Sequence, residues 1–154
     1  MTIDKLIKAN NIRIVGFEDY AKQGFMISLA NAVYDTVNDC IAINDNPIPQ
    51  PDYNRELVLL HEIAHWTGHP SRLNRITPTR EAEELIADLA AHALGEKLNL
   101  PKDTLDNFLW KTLDEYSNVN LAYAYREVER IMGMLWTTRF VCEDNGLMSY
   151  WEYV

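Results

Sequence analysis

The sequence predicts an α+β fold: a small N-terminal antiparallel sheet followed by a helical C-terminal part. Three observations carry this. Short apolar segments of strand-like composition dominate the first fifty residues. A polar stretch over residues 44–51, with three prolines, ends them. Beyond it the apolar residues recur with a helical period. Strands first and helices afterwards is the order of an α+β domain. A chain of 154 residues with 47% hydrophobic content fits one domain spanning residues 1–154, able to bury a core.

A short helix is expected to open the chain. Residues 11–17 (N-I-R-I-V-G-F) and 24–29 then read as strands, and residues 32–35 and 40–43 flank a polar turn region at 36–39. Asn46-Pro47 and two further prolines make residues 44–51 a loop. Helices are predicted over 52–67, 78–98, 103–116 and 120–139. Thr77-Pro78 is a favourable helix entry, because proline is tolerated at the first helical position. Neither internal repeats nor low-complexity segments interrupt this order.

Charge and composition narrow the function. The net charge of −9, from 23 acidic and 14 basic side chains, argues against direct DNA binding through the whole surface. The acids are unevenly placed: residues 63–80 contain none, while Arg72, Arg75 and Arg80 all fall there. No apolar run approaches the roughly 20 residues that cross a bilayer, so no membrane partner is expected. The first residues lack the pattern of a signal peptide, and two cysteines do not make a disulfide framework. A cytoplasmic, reducing location is the expectation.

Residues 61–65 read His-Glu-Ile-Ala-His, the H-E-x-x-H pattern of zinc peptidases. Four histidines and twelve glutamates in 154 residues would give it by accident about 0.8% of the time. Four residues is just over one helical turn, so His61 and His65 leave the same face and can grip one zinc ion per chain. Glu62, beside the first ligand, is then placed as general base towards the water the metal activates. Projected at ~100° per residue from Leu57, His61 falls at ~40°, His65 at ~80° and Glu62 at ~140°. Apolar residues fill ~180–360°. An ordinary surface helix would carry many more Lys, Arg and Glu on its polar side.

Zinc needs a third protein ligand. Ser71 stands where the longer metzincin pattern wants its third histidine, and His69, between Gly68 and Pro70, is read as shaping the turn. The better candidate is Glu84. Projected from Glu81, Glu84 (~300°), Asp88 (~340°) and His92 (~20°) form one narrow polar stripe between two apolar flanks. Glu83 points to ~200°, near Lys97, where a surface ion pair accounts for it. The spacing also resembles the gluzincin peptidases, in which a glutamate on the following helix ligates the metal. An acid four residues on, here Asp88, then orients a ligand histidine.

Residues 59–75 (L-L-H-E-I-A-H-W-T-G-H-P-S-R-L-N-R) resemble the signature of ArdC-type antirestriction proteins, zincin-like metallopeptidase domains carried by plasmids and phages. Residues 83–91 (E-E-L-I-A-D-L-A-A) are also similar to that family, and residues 108–113 more weakly. The resemblance implies a zincin-like fold, a zinc ion, and a role in helping incoming DNA escape restriction. Members of the family typically add a single-strand DNA-binding domain, and none is expected in the thirty or so residues before the resemblance.

Zincins bind a peptide as an added strand on a sheet edge, and the strand before the active helix, residues 40–43, is expected to supply it or else to be an ordinary paired strand. His92, Tyr123, Tyr125 and Arg72 are candidates for stabilising a tetrahedral oxyanion or contacting substrate. Arg72, Arg75 and Arg80 would favour acidic peptide segments or offset nearby carboxylates. The aromatic tail over residues 136–154, with Trp136, Phe140, Tyr150, Trp151 and Tyr153, reads as core packing or a partner face. Three classes of function stay open: a zinc endopeptidase cutting protein substrates, a zincin scaffold acting by protein binding, and an acidic DNA mimic.

Overall fold

The computed structural model describes residues 1–22, 31–50 and 52–136. Helix α1 (Ile3–Ala9) begins at Thr2, whose hydroxyl accepts the Lys5 N–H. Strand β1 (Ile14–Gly16) runs directly into a short helix, α2 (Phe17–Lys22). Strands β2 (Ala32–Asp35) and β3 (Cys40–Ile43) form a hairpin, and four helices follow: α3 (Arg55–Thr67), α4 (Arg80–Lys97), α5 (Lys102–Glu115) and α6 (Leu121–Trp136). The sequence order of strands, proline-bearing loop and helices is therefore the architecture. Of the aromatic tail Trp136 is described and is buried in the main core, while the rest of the tail and the expected strand at 24–29 lie outside the described residues. Six residues are too few for a helical period to register, and α2 went unpredicted for that reason.

The sheet has the order β1-β3-β2. The β2–β3 pair is antiparallel, as expected, with Tyr34 opposite Ile41; β1 joins in parallel on the other side, Val15 opposite Ala42. The intervening chain supplies the crossover that a parallel neighbour requires. Central β3 is buried along its whole length, and its alternation splits the molecule. Ile41 and Ile43 face the main core with α3, α4 and α6, whereas Cys40 and Ala42 pack with Phe17 and Tyr20 of the α2 side. At the hairpin turn the Asp35 carboxylate accepts the Val37 and Asn38 N–H groups and the Tyr20 hydroxyl.

Two caps set the position of the functional helices. Asn54 Oδ1 accepts the Leu57 N–H at 2.9 Å, so α3 starts three residues later than its apolar period implies. Thr79 Oγ1 accepts the Ala82 N–H at 3.1 Å, so α4 starts at Arg80 rather than at Pro78. The two helices pack side by side. Fully buried Leu60 and Ile63 meet Leu85 and Ile86, and the small residues Ala87, Ala90 and Ala91 keep α4 close to its neighbours. At Gly95 an added Cβ would lie 2.6 Å from Leu105, so glycine there lets α5 approach α4. Among the described residues no helix is long and apolar enough to cross a membrane.

Candidate metal centre

Pairing α3 with α4 brings three donors together. His61 and His65 place their Nε2 atoms 3.0 Å apart, and Glu84 of α4 reaches both, Oε2 at 3.1 Å from His61 Nε2 and Oε1 at 3.4 Å from His65 Nε2. A tetrahedral site with bonds of about 2.0–2.1 Å has ligand atoms about 3.3 Å apart, so these separations match the edges of a site for one small divalent cation. His61, His65 and Glu84 form the group of this kind found among the described residues.

Each imidazole is held from behind by a carboxylate. His61 Nδ1 lies 2.7 Å from Asp88 Oδ1, whose other oxygen accepts the buried Thr112 hydroxyl of α5 at 3.1 Å. His65 Nδ1 lies 3.2 Å from Glu83 Oε1, and Arg75 donates to both Glu83 oxygens, at 2.7 and 2.9 Å. With both Nδ1 atoms held by carboxylates, both Nε2 atoms point to the same place. The donor set and its orientation fit a divalent metal.

The electrostatics agree. Burial alone would push the His61 imidazole down, yet its hydrogen bonds to Asp88 and Glu84 prevail and hold it up at about 10. His65 is raised in the same way, burial being outweighed by Glu83 and Glu84. Hydrogen bonds from the two histidines push the Glu84 carboxyl far down. Burial works against Glu83, but Arg75 and His65 hold it at about 2. The centre is thus a pocket of negative charge that demands cations, protons or a metal, between its two imidazoles.

Glu62 stands apart from this group. Burial raises its carboxyl, opposed by the two histidines and by the backbone N–H of Tyr34 on β2. It lines a cleft of about 810 Å³ together with His61 and Asp88. Leu57 and Val58 of α3, Phe108 of α5, and Gln50, Asp52, Tyr53 and Asn54 also line it. Lys111 of α5 pairs with Asp52, both of them cleft residues.

Several expectations change. Glu83 does not pair with Lys97: the 68–79 loop folds back and brings Arg75 to it, a tertiary contact that a helical projection cannot contain. The edge for an added strand is not residues 40–43, because β3 is paired on both sides; β2 is the outer strand on the Glu62 side among the described residues. His69 stays out of the donor group and hydrogen-bonds Ser71, within the turn that leaves α3. His92 pairs with Glu96 at 3.2 Å, and Tyr123 donates to the Ile76 carbonyl at 3.5 Å. Tyr125 is exposed. Arg72 binds both Asp39 oxygens, the Tyr34 hydroxyl and the Trp66 carbonyl, and lies 3.8 Å over the Trp66 ring. None of His92, Tyr123 and Arg72 belongs to the donor group. Of the two readings of the arginines, Arg72 and Arg75 follow the one in which they offset nearby carboxylates, those of Asp39 and Glu83.

Sequence reasoning missed Glu83, Arg75, Thr112 and Tyr116. The last, at the end of α5, is raised by burial and by the charges of Glu115, Asp88 and Glu84. The run of arginines without acids over 63–80 was the available signal for Arg75.

The fold and this centre define a class. A family model of zincin-like metallopeptidases matches residues 16–109, and the chain belongs to that family. It is 38% identical over 79 residues to the DNA primase TraC of Escherichia coli, a match covering 47% of this chain and 7% of TraC. Two crystal structures of the antirestriction protein ArdC from plasmid R388 are similar to it. The Mn(II)-bound one has a TM-score of 0.49, 22% identity and coverage of 87% of this chain and 52% of that one. The metal-free one has a TM-score of 0.48, 21% identity and coverage of 86% and 49%. The chain thus spans about half the length of the ArdC chains, and a small part of TraC.

Proposed function

We propose that this chain is a zinc-dependent peptidase domain that hydrolyses peptide bonds in a protein substrate, in the cytoplasm of a cell receiving plasmid or phage DNA. The observation that carries the reading is the convergence of His61, His65 and Glu84 next to Glu62 at the wall of an open cleft. The resemblance of residues 59–75 and 83–91 to ArdC-type proteins supports the antirestriction setting.

His61, His65 and Glu84 would hold zinc, which when bound would supply Lewis-acid polarisation and lower the pKa of a water towards neutral. The protein does the rest. An extended peptide adds to β2, the outer strand among the described residues, through main-chain hydrogen bonds, which grip it independently of sequence. Glu62, hydrogen-bonded to the Tyr34 N–H of that strand and acted on by the charges of both histidines, is the base of this reading. Its carboxylate takes the proton from attacking water and delivers it to the departing amine. Asp88 and Glu83 keep each imidazole in the tautomer that offers Nε2. The cleft between Leu57, Val58 and Phe108 accommodates a substrate side chain beside the scissile bond.

The test is elemental analysis of protein grown with supplementary zinc, paired with cleavage of an unbiased peptide library. One equivalent of zinc in the wild type, absent from His61→Ala, together with zinc-dependent cleavage, is expected. Equal metal in the two proteins would overturn the assignment.

A further inference from the structure

The segment between the two helices of the centre provides no ligand, yet its Arg75 is more deeply buried than any donor. Only 1% of the Arg75 side chain is exposed, against 15% for His65 and 29% for Glu84. A buried guanidinium must have its N–H groups matched. Nε and Nη2 form a two-pronged pair with Glu83, Nη2 also donates to the Ala64 carbonyl at 2.9 Å, and Nη1 donates to Thr67 Oγ1 at 3.2 Å. The Glu83 oxygen that accepts from Nη2, Oε1, is the one 3.2 Å from His65 Nδ1.

The loop is shaped for this contact. Asn74, just before Arg75, sits at φ 48°, a left-handed conformation that asparagine tolerates, and the Arg75 N–H closes back on the Gly68 carbonyl at 3.0 Å. Gly68 has an ordinary backbone, φ −78°, so its lack of a side chain answers a need for space. A Cβ there would lie 2.8 Å from Arg75 Nη2 and 3.0 Å from its Cζ.

We propose that Arg75 is a positioning residue of the metal centre: its fork fixes the Glu83 carboxylate so that Oε1 accepts the His65 Nδ1–H, and His65 thereby presents Nε2 to the metal. This rests on reading His61, His65 and Glu84 as a metal site. A glutamate side chain on its own rotates through several torsions, whereas two parallel hydrogen bonds from one planar group set its carboxylate plane. Lysine, a point charge, cannot do this. Gly68, Asn74 and Arg75, a spacing that the ligand set leaves unexplained, thus become parts of the centre.

The experiment measures Zn2+ affinity of the full chain by competition with a chromophoric chelator, and the visible spectrum of the Co2+-loaded protein. The proteins compared are wild type, Arg75→Gln, Glu83→Gln, the double variant, Arg75→Lys and Gly68→Ala. Arg75→Gln and Glu83→Gln are each expected to weaken zinc binding about 10–100-fold and to shift the Co2+ bands. The double variant should bind no more weakly than Glu83→Gln alone, because Arg75 acts through Glu83. Arg75→Lys should recover only part of the loss. Gly68→Ala, which keeps every charge and displaces the guanidinium, should weaken binding in the same direction and carries the test if Arg75→Gln fails to fold. Wild-type affinity in Arg75→Gln or in Gly68→Ala, or losses that simply add in the double variant, would overturn the proposal. A wild type that takes up no Zn2+ overturns the metal-site reading and this inference with it; one that loads a full equivalent while Arg75→Gln matches it overturns this inference alone.

Discussion

The two histidines of α3 are one turn apart and turn their Nε2 atoms to the same carboxylate, yet the regions behind them are built differently. Behind His61 the support is helical: Asp88 from α4 and, behind that, the neutral hydroxyl of Thr112 from α5. Behind His65 the support passes from Glu83 into a loop, to a buried guanidinium. The first arrangement leaves the second carboxylate oxygen of Asp88 with one neutral donor. The second neutralises Glu83 with a full charge on both of its oxygens. A metal centre with four nearby carboxylates cannot support each imidazole by adding bare negative charge. The difference teaches that one of the supporting acids brings its own cation, and that this cation comes from the segment with no acids.

Removing what the two regions share gives the largest effect. Glu84→Ala deletes the donor that reaches both Nε2 atoms, and loss of most bound zinc is expected by elemental analysis after desalting. The next effect is one-sided. Asp88→Ala releases only His61, and a 10–100-fold drop in zinc affinity is expected from chelator competition. Thr112→Val keeps the volume and removes only the hydroxyl behind Asp88; titration should find zinc affinity lower by about 2–5-fold. Equal losses for Thr112→Val and Arg75→Gln would erase the contrast between a neutral and a charged backing.

The smallest effect lies away from the metal, at the Asp39–Arg72 pair that braces the β2–β3 hairpin against the end of α3. Hydrogen bonds from Arg72 hold the Asp39 carboxyl at about 2, below its ordinary 3.8. A carboxyl lowered in the folded state stabilises it above the ordinary value, and the contribution disappears as pH falls towards the folded value. Asp39 is about a third exposed, which limits the effect. In EDTA, Asp39→Asn should melt about 2–4 °C below wild type at pH 6, and the gap should close between about pH 4 and pH 2. A gap that persists at pH 2 would place the effect in packing.

The site was legible in the sequence where one helix carries the information. His61, Glu62 and His65 follow from a four-residue spacing, and Glu84 and Asp88 from a narrow polar stripe between apolar flanks, and the structure brings all five to one place. Glu83 was misread because projection on a wheel treats a helix as isolated, while its partner Arg75 arrives on a loop that folds back over the helix ends. That Arg72 offsets a carboxylate is one of the readings the sequence offers, but not which one, because its partners, Asp39 and Tyr34, lie more than thirty residues away on the hairpin. The sheet illustrates the same limit. Apolar alternation located β2 and β3, but nothing in a period of two says that β1 lies parallel to β3 and makes it the central strand.

The central claim is that Glu62 performs the proton transfers beside a metal it does not bind. Glu62→Gln preserves shape and hydrogen bonding but removes the base, so its zinc content and its rate of peptide cleavage should be measured together against wild type. The account predicts a full equivalent of zinc with cleavage lower by about 10²-fold or more. Cleavage at the wild-type rate with zinc retained would contradict it.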